Sequence, residues 1–187
     1  MRNRIYLSLF CFCFSASVFG QQTAAKFPES APRKNVYVEL GGNGIAFNVM
    51  YESRFNKSSD GLGYKLGVGG FSGSSTKMVT VPLGLNWLLS KDNKNFFEMG
   101  FGATFLHYDE FNYWYWPDGP GNRYPTEVIG LTINQKNTIF GHMTLGYRRQ
   151  PSTGGVTWGV AVTPQFNQNG FWPLWIGVKF GYSIVKK

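Results

Sequence analysis

Trp172-Pro-Leu-Trp-Ile-Gly-Val-Lys-Phe-Gly-Tyr-Ser-Ile184 is the stretch that decides the fold. Every second residue, Leu174, Ile176, Val178, Phe180 and Tyr182, is bulky and apolar. Between them lie Trp175, Gly177, Lys179, Gly181 and Ser183, mostly small or polar. A period of two marks a β-strand with one oily face and one small or wet face.

The same rhythm runs back through the chain. It predicts strands at Asn35–Gly41, Ile45–Phe55, Leu62–Phe71, Met78–Leu89, Phe96–Leu106, Thr138–Gln150 and Val156–Phe166, each close to the roughly ten residues of a tilted membrane strand. Gly42-Asn43-Gly44 reads as a tight turn joining the first two, because its glycines tolerate positive φ. Short polar turns follow the second, fourth and sixth strands; the long connection, about 107–137, follows the fifth. Short turns on one side and longer loops on the other are the habit of outer-membrane barrels, which places both ends of the barrel domain on the periplasmic side.

Composition agrees. Charged residues make up 15% and aromatics 18%, against roughly 25% charged in a soluble domain. Mean hydropathy is only −0.19, so no long helical span supplies the oiliness. Residues 1–20 read as a secretory signal peptide: Arg2 and Arg4 precede an apolar run from Ile5 to Phe14, and Val18-Phe19-Gly20 suits cleavage before Gln21. That run is too short for a membrane helix. Both cysteines, Cys11 and Cys13, fall inside it as apolar filler, so the mature chain has no disulfide, thiol nucleophile or thiolate metal site. Removing Arg2 and Arg4 leaves 16 basic residues against 10 acidic ones, a net +6. Residues 21–34, with Pro28 and Pro32 and no periodicity, read as a disordered leader before a barrel domain spanning 35–187.

Alternation alone does not say which face is inside. A soluble barrel would bury the apolar face, but that face carries roughly 35 bulky side chains, and eight strands enclose only enough room for a few layers. The other face is rich in glycine and poor in charge, unlike a solvated sheet. Aromatics near strand ends (Tyr51, Phe55, Tyr64, Trp87, Phe97, Phe105, Tyr147, Trp158, Phe166, Trp172, Tyr182) suit two interfacial girdles. The fold predicted is all-β: an eight-stranded antiparallel transmembrane up-and-down β-barrel.

Val36-Tyr-Val-Glu-Leu-Gly-Gly-Asn-Gly44, Val81-Pro-Leu-Gly-Leu-Asn86, Phe97-Glu-Met-Gly-Phe-Gly-Ala103 and the final strand give the chain a family likeness over about residues 35 to 184. It resembles the small eight-stranded outer-membrane barrels of Gram-negative bacteria, the OmpX- and OmpA-type class, and more narrowly the small barrel proteins of Bacteroidetes. The resemblance implies residence in the outer membrane among lipid and lipopolysaccharide, as a monomer. It also implies insertion by the barrel-assembly machinery, which reads the last strand; Gly177, Phe180 and Tyr182 match that signal, and the ending Val185-Lys186-Lys187 departs from it.

Two groups of residues are candidate sites. Glu39, Glu52, Arg54, Lys65, Glu98, Arg148 and Lys179 point inward, with His142 beside them. Unpaired charges in a narrow lumen are costly, so these are expected to form a salt-bridged plug; the alternative is a small channel. The second group is the aromatic stretch His107-Tyr-Asp-Glu-Phe-Asn-Tyr-Trp-Tyr-Trp-Pro-Asp-Gly-Pro-Gly-Asn-Arg-Tyr-Pro125. Here His107, Tyr108, Asp109, Glu110, Tyr113, Trp114, Tyr115, Trp116 and Arg123 suit contact with sugars or a partner surface; the competing expectation is an ordered cap on the barrel mouth.

Some small outer-membrane barrels modify lipid A, and such an acyltransferase or deacylase needs His, Ser and a carboxylate near the outer leaflet. His107 with Asp109, and His142 with Thr144, have no Ser at motif spacing. Pro82 and Pro164 are expected to mark bulges rather than a lateral gap. No phosphate-binding glycine loop, metal-ligand cluster or nucleic-acid-binding basic tract is present, so no cofactor or metal is expected.

Overall fold

A computed structural model describes residues 31–73, 76–110, 126–128, 131–133, 137–168 and 170–185. The segment read as a signal peptide, with Cys11 and Cys13, lies outside them, as do the leader up to residue 30, residues 111–125 and the final Lys186-Lys187.

The chain forms a closed eight-stranded antiparallel barrel. Its staves are β1 (Lys34–Gly41), β2 (Phe47–Arg54), β3 (Gly61–Ser72), β4 (Thr76–Ser90) and β5 (Asn95–Glu110). After a short hairpin of β6 (Thr126–Val128) and β7 (Leu131–Ile133), β8 (Asn137–Arg149) is the sixth stave. The seventh is β9 (Gly155–Val162) continued by β10 (Gln165–Asn167). The eighth is β11 (Gly170–Trp172) continued by β12 (Ile176–Ile184). Each stave pairs with the next, and β12 pairs with β1 from Lys34↔Ile184 to Gly41↔Gly177, which closes the cylinder.

The barrel is inside-out relative to a soluble protein. Among the described residues 33 large apolar side chains are exposed, against 10 buried hydrophobics, so the oily faces look outward as the alternation predicts. Val178, Phe180 and Tyr182 are all more than half exposed, while Lys179 and Ser183 between them are buried. Among the described residues no helix is long and apolar enough to cross a membrane.

Five sequence expectations need correction. Trp172–Ile184 is not one strand. Gln165 faces Trp172 whereas Val162 faces Ile176, so two residues, Thr163 and Pro164, stand opposite three, Pro173, Leu174 and Trp175. The bulge therefore sits at Pro173–Trp175, where proline cannot donate to the ladder. Pro164 is not itself a bulge: β8 keeps one register with β9 and β10, and Met143 N donates to Pro164 O at 2.9 Å. Nor is Pro82, which leaves the β3–β4 register intact and only interrupts its pairing between Leu66↔Leu83 and Gly69↔Thr80.

Strand five runs on to Glu110, so His107–Glu110 belong to the barrel wall, with Lys77 opposite Asp109 and Thr76 opposite Glu110. The second strand starts at Phe47, not Ile45, because the β1–β2 connection turns inward. Gly42–Gly44 form a single 3-10 turn, with Gly41 and Gly42 at φ +70° and +63°. Ile45 has φ +73°, costly for a β-branched residue; it is buried against Met78, Leu106 and Phe140, which hold it there.

The end of the barrel carrying the start of β1 and the end of β12 also carries the three short turns. The leader's last residues are ordered there: Pro32 O accepts from Ser59 Oγ at 3.0 Å, and Arg33 O from Arg54 N at 2.9 Å. In the β4–β5 turn Asp92 accepts from the backbone N–H of Lys94 and Asn95 and from side chains of Ser90 and Asn95. Those donors, the Asn95 N–H foremost, hold its carboxyl well below the usual carboxylate range.

Candidate functional site

The lumen is filled, and its filling is layered. Nearest the terminus end, Glu52 receives both arms of the Arg148 guanidinium at 2.6 and 2.7 Å. Arg148 Nη2 also reaches Glu98 at 2.9 Å. Lys179 Nζ donates to both oxygens of Glu98, at 2.9 and 2.8 Å. Arg54 pairs with Glu52 and donates to the Asn86 side-chain oxygen at 2.6 Å. The Tyr37 ring lies beneath both cations, 5.7 Å from Arg148 Cζ and 5.5 Å from Lys179 Nζ. All of these groups are buried. Unpaired, each would carry a desolvation cost of several kcal/mol; here a forked cation shared between two carboxylates offsets it.

Glycines on the inner face make the room. A Cβ at Gly63 would touch Arg54 Cζ, one at Gly102 would lie 2.7 Å from His142 Nε2, and one at Gly159 would lie 3.3 Å from Lys179 Cγ. At these three positions glycine leaves room for the Arg54, His142 and Lys179 side chains.

Glu39, Lys65 and His142 are buried in the same lumen but make no ion pair among the described residues. Instead Glu39 and Lys65 meet on one neutral residue, Asn43, at the tip of the inward turn. Asn43 donates to the Glu39 carboxylate from its backbone N–H at 3.0 Å and from Nδ2 at 2.9 and 3.0 Å. Its Oδ1 accepts from Lys65 Nζ at 3.1 Å and from Thr144 Oγ1 at 2.8 Å. Its backbone oxygen accepts from Thr104 Oγ1 at 2.7 Å, and Gly42 O from Gln165 Nε2 at 2.7 Å. The turn is thus tied to β1, β3, β5, β8 and β10. Since Thr104 spends its one hydroxyl proton on Asn43, it can only accept at the 3.2 Å contact with His142 Nδ1, so that nitrogen carries a proton.

Sequence reasoning missed Asn43, reading its tripeptide only as a tight turn between two strands. A signal was there. Gly41-Gly42-Asn43-Gly44 offers no side chain too large for a crowded lumen, and a Cβ at Gly42 would lie 2.6 Å from the Glu39 carboxyl carbon. Above the turn, Ile45, Met78, Leu106 and Phe140 form an apolar lid with Ala46, Tyr108 and Trp175 packed on it. Leu88 and Phe96, both buried, point inward at the opposite end. The polar filling therefore lies beneath this apolar lid, and at its far end Leu88 and Phe96 stand in register with Glu98 and Arg148.

The aromatic stretch is divided. His107 and Tyr108 lie in β5 at the loop end, half-buried, and His107 Nδ1 is 2.6 Å from Asn137 Oδ1. Asp109 and Glu110 share that strand. Tyr113, Trp114, Tyr115, Trp116 and Arg123 lie outside the described residues. Among the described residues no three His, Cys, Asp or Glu side chains gather as metal ligands.

No family model and no curated protein matches the sequence. Among solved structures, the N-terminal β-barrel domain of Pseudomonas aeruginosa OprF matches with a TM-score of 0.53 at 10% identity, over 83% of this chain and 98% of that one. The outer membrane protein Ail of Yersinia pestis, in a phospholipid nanodisc, matches with a TM-score of 0.44 at 8% identity, over 81% of this chain and 99% of that one. The OprF likeness is one of fold: that of a small eight-stranded outer-membrane barrel.

Proposed function

We propose that this chain is a non-enzymatic outer-membrane barrel with a structural or surface-contact role. Its lumen is plugged, and the aromatic segment from His107 to Arg123 is its outward contact surface. The single observation behind this reading is the reversal of polarity: an apolar band wraps the whole barrel while seven charged side chains, Glu39, Glu52, Arg54, Lys65, Glu98, Arg148 and Lys179, are buried inside. Such a surface is stable only against lipid. By the loop-length rule, the end with the three short turns faces the periplasm, and the end with the long β5–β8 connection faces out. A signal peptide at residues 1–20 would supply the export this location requires.

The alternative of a channel is disfavoured by the filled lumen; a lipid A-modifying enzyme could not use His142, which faces the lumen instead of lipid, and would rest on His107 alone. Two measurements test the proposal. Folded protein should run differently on gels before and after boiling in detergent, and should carry no steady current across a planar bilayer. Identical mobility together with solubility in the absence of detergent would refute the membrane location; a stable unit conductance would refute the plug.

A further inference from the structure

Among the described residues the barrel's exposed charges gather at one end. At the terminus end six cations stand on the rim: Arg33, Lys34, Lys57, Lys91, Lys94 and Arg149. All are exposed except Arg33, which is half-buried, and none makes an ion pair among the described residues. Two acids share that rim, Asp60 and Asp92, giving six minus two, or +4. Both acids are engaged within their own turns, Asp60 by Ser58 and Asp92 by Ser90 and Asn95. At the opposite rim Lys77 stands in register with Asp109, beside Glu110.

The cations form a ring, not a one-sided patch. Arg33 and Lys34, at the entry to β1, are the first pair, and each of the three short turns or its adjoining strand end contributes at least one. Just inside the ring lies a belt of paired aromatics: Tyr51 and Tyr64 at 6.3 Å, Phe55 and Tyr64 at 5.7 Å, Tyr147 and Trp158 at 5.6 Å between ring centres. Aromatic belts settle at headgroup depth, so the ring of cations is held at the level of the phosphates. A soluble acidic partner would need a patch on one side; only a lipid leaflet surrounds a barrel.

A depression lies beside two of these cations. Gln150 N donates to Lys94 O at 2.8 Å, which stitches the β4–β5 turn to the end of β8. Lys94 and Arg149 thereby line a depression of about 340 Å³ with Pro151, Ser152 and Thr153, pairing two cations with two hydroxyl groups. That donor set fits a phosphodiester and its polar headgroup.

We propose that the terminus-end rim is a docking surface for anionic phospholipid headgroups, with the Lys94–Arg149 depression as its principal seat. The proposal rests on the barrel spanning a membrane. It is tested with the full chain folded into phosphatidylcholine vesicles carrying a trace of spin-labelled phosphatidylglycerol or spin-labelled phosphatidylcholine, comparing the motionally restricted fraction of each. A basic residue at an anionic surface favours association about fivefold. Phosphatidylglycerol should therefore be enriched by at least about fivefold at low salt, and the enrichment should fall as salt shortens the screening length. Lys94→Gln with Arg149→Gln should remove most of it. Equal association of the two lipids, in protein whose insertion is verified by heat-dependent gel mobility and protease protection, overturns the proposal. Failure to insert overturns the membrane reading, and this proposal with it.

Discussion

Replacing Asn43 by alanine is the sharpest test of how the lumen is held. The side chain supplies one amide group shared by the two Glu39 oxygens and one oxygen shared by Lys65 and Thr144. A hydrogen bond to a buried charge contributes about 1.5–3 kcal/mol and one between neutral groups about 0.5–1.5. Two of the first kind and one of the second give about 3.5–7.5 kcal/mol. Some is recovered: Lys65 keeps Thr144 at 2.9 Å, and Glu39 keeps the Asn43 N–H at 3.0 Å. A net loss of about 3–5 kcal/mol is expected. With a urea slope of about 2 kcal/mol/M, the unfolding midpoint in lipid vesicles, followed by tryptophan fluorescence, should fall by about 1.5–2.5 M. Asn43→Asp should also destabilise, because it keeps an acceptor for Lys65 but sets a second carboxylate beside Glu39. An alanine variant within 1 kcal/mol of the wild type would refute the argument that this turn anchors the plug.

Two further outcomes follow from the same geometry. Arg148→Met leaves Glu52 and Glu98 buried without their shared cation, so equilibrium unfolding should show a loss of about 3–5 kcal/mol; Arg148→Lys should recover only part, since an ammonium cannot reproduce the fork that reaches both carboxylates. Phe101 sits near the middle of β5, 62% exposed on the outer face. Phe101→Arg should cost about 2–4 kcal/mol of folding into vesicles, and wild-type stability in that variant would count against a lipid-facing outer surface.

The barrel was legible in the sequence because strand alternation is local. Val79, Val81, Leu83, Trp87 and Leu89 point outward whatever the rest of the chain does, and volume alone rules that they cannot all fit within. The inward direction of Glu52, Arg148 and Lys179 followed from the same phase. What was not legible depended on distant partners. Whether Gly42-Asn43-Gly44 turns outward or folds in is decided by Lys65, Thr104, Thr144 and Gln165, four residues on four other strands. Glu39 and Lys65 were expected in salt bridges because pairing by charge ignores a neutral residue placed between them. The bulge at Pro173–Trp175 was hidden because Leu174 and Ile176 keep an apparent period of two across it, while the slip shows only in the register with β9 and β10. Most of the aromatic stretch to Arg123 lies outside the described residues, and neither a period nor lumen volume lets sequence reasoning place a long connection.

The inward turn bears on how slowly the barrel comes apart. Its partners lie on β3, β5, β8 and β10, so its bonds cannot form until those staves already curve around it, and closure itself waits for β12 to reach β1. Interactions made after the folding barrier leave the folding rate nearly untouched and act on the unfolding rate instead. The Asn43→Ala loss should thus appear as faster unfolding with unchanged refolding. The plug would then set the protein's lifetime: a latch engaged only once the cylinder is complete.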